Sequence, residues 1–121
     1  MKSGKGEETF PNGDVYKGTY LNGSAHGKGK YTWNNKVTFD GNFENGYRSG
    51  KGTLTAKKFL KFTGNFKDDL PNGEGFLVLE NGDSYVGMFE RGEKNGEGTL
   101  RIKNEQKILS GKWKDNKFLF S

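Results

Sequence analysis

The residue types that usually carry chemistry are sparse in this sequence. His26 is the only histidine and cysteine is absent, which leaves no Cys/His set for zinc and no thiol nucleophile. His26 is read as a solvated residue in a loop spanning 21–26. Two adjacent carboxylate pairs, Glu7-Glu8 and Asp68-Asp69, could divide the work of a general acid and a general base. That division needs surroundings that push one pKa away from the other, and both pairs lie in polar stretches that offer nothing of the kind. Gly-x-Gly pairs occur at Gly4/Gly6, Gly27/Gly29, Gly50/Gly52, Gly73/Gly75 and Gly96/Gly98. A phosphate loop would continue as Gly-x-Gly-x-x-Gly or Gly-Lys-Ser/Thr into a helix, and neither pattern is found. The expectation is a non-enzyme with no catalytic, metal or cofactor site.

The glycine pairs have a different explanation, because they repeat every 23 residues. The same step carries Tyr16-Lys17-Gly18-Thr19-Tyr20 onto Phe39-Asp40-Gly41-Asn42-Phe43, Phe62-Thr63-Gly64-Asn65-Phe66 and Tyr85-Val86-Gly87-Met88-Phe89. One residue late, Leu109-Ser110-Gly111-Lys112-Trp113 closes the series. A fixed period in this range marks an array of supersecondary units, each needing its neighbours to bury a core. The expected organisation is a single domain over 1–121, with a partial unit near 4–15, full units at 16–38, 39–61, 62–84 and 85–108, and a partial cap at 109–121.

Aromatic-x-Gly-x-aromatic, a glycine a few residues on, then Gly-x-Gly-x-aromatic or Leu: this pattern resembles the MORN repeat (membrane occupation and recognition nexus) and covers roughly residues 4–113. Departures are local. Asp69 stands in the column of Gly23, Gly46 and Gly92, Lys36 and Phe59 stand in that of the turn glycines Gly13 and Gly82, and Leu109 replaces the leading aromatic. The resemblance implies structural and interaction roles in cytoskeletal or ciliary assemblies and a cytoplasmic location. The family name implies binding at membrane surfaces.

Register follows from side-chain alternation, since a one-residue slip exchanges the two faces of a strand. Glu80-Asn81-Gly82 read as a three-residue turn, type I with a glycine bulge, pairs Leu77 with Tyr85 and Gly75 with Gly87; a two-residue turn would put Leu77 and Tyr85 on opposite faces. At the other end of each hairpin, pairing Phe43 with Gly50 and Gly41 with Gly52 leaves a six-residue loop at 44–49. The fold class is therefore all-β, an elongated single-layer antiparallel meander of β-hairpins, twisted and curled around an aromatic groove. One row across it reads Tyr16, Tyr31, Phe39, Leu54, Phe62, Leu77, Tyr85, Leu100 and Leu109, and the next is glycine throughout. In the third row, rings alternate with glycines. Phe118 and Phe120 are expected to cover the end of the ring-bearing face.

Tyr16, Tyr20, Tyr31, Trp33, Phe39, Phe43, Phe62, Phe66, Tyr85, Phe89 and Trp113 are the candidate partner-binding groove. The opposite face is polar, with Lys17, Thr19, Lys28, Lys30, Asp40, Asn42 and Lys51, until Phe76, Val78, Val86 and Met88 form a second, apolar patch. The 30% hydrophobic and 14% aromatic composition fits a thin sheet held by a few large rings. The net charge of +5 and pI near 9.3 favour acidic partners. The N-terminus has no apolar run for export or membrane spanning. The leading reading is a scaffold that takes a protein segment into the groove, with self-association through the edge strands as a further route. The alternative is peripheral binding to anionic phospholipid through lysines that include Lys17, Lys28, Lys30, Lys57, Lys58 and Lys61, although no amphipathic helix or acylation motif supplies a second anchor. Nucleic acid is disfavoured because the rings face glycines and are not interleaved with lysines.

Overall fold

The computed structural model describes residues 3–56 and 60–120. Eleven strands form one antiparallel sheet whose order is the chain order: β1 (Gly4–Thr9), β2 (Val15–Leu21), β3 (Ser24–Thr32), β4 (Thr38–Glu44), β5 (Tyr47–Ala56), β6 (Leu60–Lys67), β7 (Leu70–Leu79), β8 (Ser84–Glu90), β9 (Glu93–Ile102), β10 (Lys107–Lys114) and β11 (Lys117–Phe118). No second layer covers it among the described residues, so the meander expected from the period is the architecture of the chain.

The register matches the expected rows. Tyr16 pairs with Tyr31, Tyr31 with Phe39, Phe39 with Leu54, and the series continues to Leu100 and Leu109. The glycine row is unbroken from Gly6 and Gly18 to Gly98 and Gly111. At the turn 80–82, Leu79 N–H donates to Asp83 O at 2.9 Å and Gly82, at φ 92°, donates to Leu79 O at 3.0 Å, which is the three-residue geometry. Lys36 holds the corresponding left-handed position at φ 75°. The turn containing Phe59, together with Lys57 and Lys58, lies outside the described residues.

The loop placed at 44–49 needs correction. Pairing continues past Gly41–Gly52 to Phe43–Arg48 and Glu44–Tyr47, so only Asn45 and Gly46 form the turn. Their φ values of 50° and 86° match a type I′ hairpin, whose two central residues are both left-handed. The two residues this adds to the pairing are absorbed by a bulge between Gly41 and Phe43, where Gly50 takes φ 72°, a conformation open to glycine at little cost. The same turn recurs at Asn22-Gly23, Arg91-Gly92, Asp68-Asp69 (φ 49° and 76°) and Asp115-Asn116 (φ 51° and 68°). Asp69 therefore preserves the turn that glycine makes elsewhere, in keeping with the tolerance of Asp and Asn for this region. His26 is corrected with it, lying within β3 and not in a loop.

The glycine row lets neighbouring strands approach and rings lie flat on bare backbone. A Cβ on Gly64 would sit 2.7 Å from Gly75 Cα and from Glu74 O. Into this channel the rings pack edge to face as one continuous zigzag. Tyr16 meets Phe43 at 5.2 Å, Phe39 meets Phe66 at 4.9 Å, Phe62 meets Phe89 at 5.0 Å and Tyr85 meets Trp113 at 5.4 Å between centroids. Each contact crosses from one 23-residue unit to the next, with interplanar angles of 80–89°, the arrangement favoured by the ring quadrupole. At the end of the row Phe118 packs on Trp113 at 5.2 Å, as expected of a cap, while Phe120 meets the Phe118 ring at 4.9 Å and is 78% exposed.

Candidate functional site

The structure brings all eleven candidate groove residues onto one face. Tyr16, Tyr20, Phe39, Phe43, Phe62, Phe66, Tyr85, Phe89 and Trp113 are buried in the ring zigzag, with 0–7% of their surface exposed. Tyr31 and Trp33 are half-buried and pack against each other, tilted by 52° with centroids 4.7 Å apart. Those nine rings are thus the core that backs the face, and the surface within reach is the half-buried margin of Tyr31, Trp33, Leu54, Leu77, Leu100 and Leu109. Polar ends of the buried rings are satisfied internally: Tyr16 donates to Thr19 O at 2.8 Å, Tyr85 to Met88 O at 3.1 Å and Trp113 Nε1 to Gly98 O at 3.0 Å. Burial pushes the Tyr16 and Tyr85 hydroxyls above the usual tyrosine pKa.

Two residues on this face escaped the sequence reading because they lay in its supposed loops. Ala25, Arg48, Pro71 and Lys94 stand 23 residues apart and pair across the bulge with Tyr20, Phe43, Phe66 and Phe89. Their carbonyls accept the amides of the next turns, from Gly46, Asp69, Gly92 and Asn116. Arg48 lies over the Trp33, Phe39 and Phe66 rings at 5.3–5.7 Å and its Nε meets Asp69 Oδ1 at 2.9 Å. Lys94 lies over Tyr85 and Trp113 with Nζ at 5.5 and 5.9 Å from the centroids. Burial lowers the pKa of Lys94 below the usual lysine value. The signal that could have found both is their own 23-residue column.

Asp14 also went unremarked. It is 5% exposed and accepts from Tyr31 Oη at 2.7 Å, Asn34 N at 2.8 Å and Asn12 Nδ2 at 3.2 Å, joining the first turn to the second. His26 contributes its carbonyl to the Thr19 hydroxyl, and its Nδ1 has no hydrogen-bond partner among the described residues. No cluster of three or more His, Asp or Glu side chains suited to a metal occurs among the described residues.

The face opposite the rings carries an open trough of about 700 Å³ along the glycine row. Lys28, Lys51, Asp40 and Glu74 give it mixed charge, and Phe76 and Val86 line its apolar end. Phe76 pairs with Val86 as the turn geometry requires, and they are 46% and 48% exposed; Met88 is exposed and Val78 half-buried beside them. Asn42 and Asn65 donate to the bulge carbonyls of Lys51 and Glu74 at 3.2 and 3.3 Å. Met88 stands in the same column with no such group to give, and it borders the apolar patch.

No helix of the structure is long and apolar enough to cross a membrane, among the described residues. No curated protein matches the chain. Among protein families, the MORN repeat matches it at residues 1–15, 16–38, 39–58, 62–84 and 85–106. With five consecutive matches over most of its length and a sheet built on that same period, the chain belongs to the MORN repeat family.

Proposed function

We propose that this chain is a non-catalytic interaction module that receives a protein segment along its ring-bearing face, as part of a larger cytoskeletal or ciliary assembly. MORN repeats are in general interaction or membrane-binding modules. One observation carries the choice of face: Tyr31, Trp33, Leu54, Leu77, Leu100 and Leu109 form a half-buried apolar margin on a sheet with no second layer over it among the described residues. Apolar margins of this kind, backed by a rigid core, take extended or helical segments whose alternate side chains fill successive positions. The repeated spacing supplies a ruler for such a segment.

The experiment is capture from a native extract with wild-type chain and Trp33→Asp, alongside co-sedimentation with phosphatidylserine vesicles. A cytoskeletal or axonemal protein retained by wild type and lost from a variant with unchanged melting supports the reading. Vesicle binding without any Trp33-dependent protein overturns it in favour of an anionic membrane surface. A second protein-binding surface, in the trough beside Phe76 and Val86, is favoured by their exposure in one contiguous patch.

A further inference from the structure

Arg48 and Lys94 occupy the same place in the repeat, two units apart, and differ in one respect that decides their chemistry. Arg48 carries its own counter-ion. Its backbone N–H donates to Asp69 Oδ1 at 3.0 Å and its side-chain Nε donates to the same oxygen at 2.9 Å. At the equivalent turn, Lys94 N–H donates to Asn116 Oδ1 at 2.8 Å, so the backbone arrangement is copied with a neutral amide in place of the carboxylate. No carboxylate lies within 4.0 Å of Lys94 Nζ among the described residues. The ammonium is held over the Tyr85 and Trp113 rings, which attract a cation but leave its net charge uncompensated. The other positions of this column, Ala25 with Gly46 and Pro71 with Gly92, are uncharged. Within this column, then, the ring face presents one cation with its own carboxylate, Arg48, and one without, Lys94, two repeats apart.

We propose that Lys94 receives a carboxylate from the protein segment laid along the ring face, the partner supplying the counter-ion that Asp69 supplies to Arg48. The proposal rests on the function proposed above and adds the chemistry and register of the segment: an acidic side chain at the fourth full repeat, an uncharged one over Arg48. A half-buried cation on an aromatic floor gains most from an anion that displaces little water to reach it, and the lowered pKa of Lys94 agrees with a charge already partly stripped of solvent. It also selects: a neutral segment would cover the ammonium and leave it unpaired, which costs affinity.

The test uses fluorescein-labelled decapeptides of alternating Glu and Leu, or Gln and Leu, titrated into the 121-residue chain and followed by anisotropy. Wild type is expected to bind the Glu peptide about tenfold more tightly than the Gln peptide. Lys94→Met removes the cation, and Asn116→Asp builds in the carboxylate found at Asp69; both are expected to abolish the preference. Lys112→Met, on the opposite face, should leave it intact. Asn116→Asp keeps an exposed turn residue of a type that Asp69 already accommodates, so its melting temperature should hold or rise and separate lost binding from lost fold. Equal affinity for the two peptides in wild type, binding of neither at millimolar concentration, or a preference that survives Lys94→Met overturns the proposal. So does loss of phosphatidylserine vesicle binding in Lys94→Met with the peptide preference unchanged, which would give the cation to lipid. A native partner lost on Trp33→Asp but indifferent to Lys94→Met would sink this proposal and leave the interaction module standing.

Discussion

The Tyr31 hydroxyl donates to the Asp14 carboxylate at 2.7 Å, and each group shifts the other's titration. Chiefly through that bond, the Asp14 pKa is held below the usual carboxylate value; burial opposes the shift, while the Asn34 amide and Asn12 side chain add to it. Tyr31 is pushed up to about 12, first by burial and then by Asp14.

The sign of the pH dependence follows. Asp14, with its pKa lowered on folding, contributes stability that is present above the ordinary carboxylate pKa of about 3.9 and is lost as pH falls through the folded value. Tyr31 contributes stability that is present below about 10 and is lost as pH rises towards about 12. Tyr31→Phe should lower the melting temperature at neutral pH and flatten both limbs of a melting-temperature profile. Part of the alkaline limb should survive, because Tyr20 is likewise raised to about 12. An unaltered acid limb in the variant would count against the Tyr31–Asp14 bond as its origin.

Gly64→Val should destabilise the sheet by about 3 kcal/mol, because the new side chain must displace Gly75 backbone or the Phe62 ring, 2.7 and 3.0 Å from its Cβ. Thermal melting followed by circular dichroism reads this directly. Gly87→Val should behave alike, as its Cβ would meet Glu97 O at 2.6 Å. Melting unchanged in both variants would show that the glycine row is not a packing requirement.

Phe76→Glu combined with Val86→Lys should leave the melting temperature within a few degrees of wild type. The two residues face each other in register and are about half exposed, so opposite charges can pair across the strands for about 0.5 kcal/mol. Loss of a captured protein by this double variant, with melting preserved, would assign that protein to the trough. Collapse of the fold would instead make the patch part of the core.

Among the described residues, β1 pairs with β2 alone, and β11 pairs with only Trp113 and Lys114 of β10. Unpaired strand edges recruit other strands, so sedimentation velocity should show association that grows with concentration. A single monomeric boundary at high concentration would exclude it.

Much of the sheet was legible because the 23-residue period and the three-residue turn at 80–82 suffice to align every row from Tyr16 to Leu109. The opposite hairpin end was misread for a definite reason. A six-residue loop and a two-residue turn followed by a bulge with two extra residues leave every side chain on the same face, so alternation cannot separate them. What separates them is Asn45-Gly46, an Asn-Gly pair of the sort that makes type I′ turns. That misreading hid Arg48 and Lys94, whose placement over the rings depends on the bulge. The burial of the rings was not legible either, since it depends on how far each ring leans over its glycine neighbours, which spacing does not encode.

The strictly sequential strand order has a mechanical consequence. Tension applied between the two ends of the sheet would load the strand ladders in series, so the weakest would part first and the extension would come in steps of one hairpin. Edge-to-face rings such as Phe39 with Phe66 bridge each step, so the array would behave as a chain of stiff links that yield singly and re-close singly. A protein of this build placed between two load-bearing structures would limit the force passed between them, and its length would record how far they had moved apart.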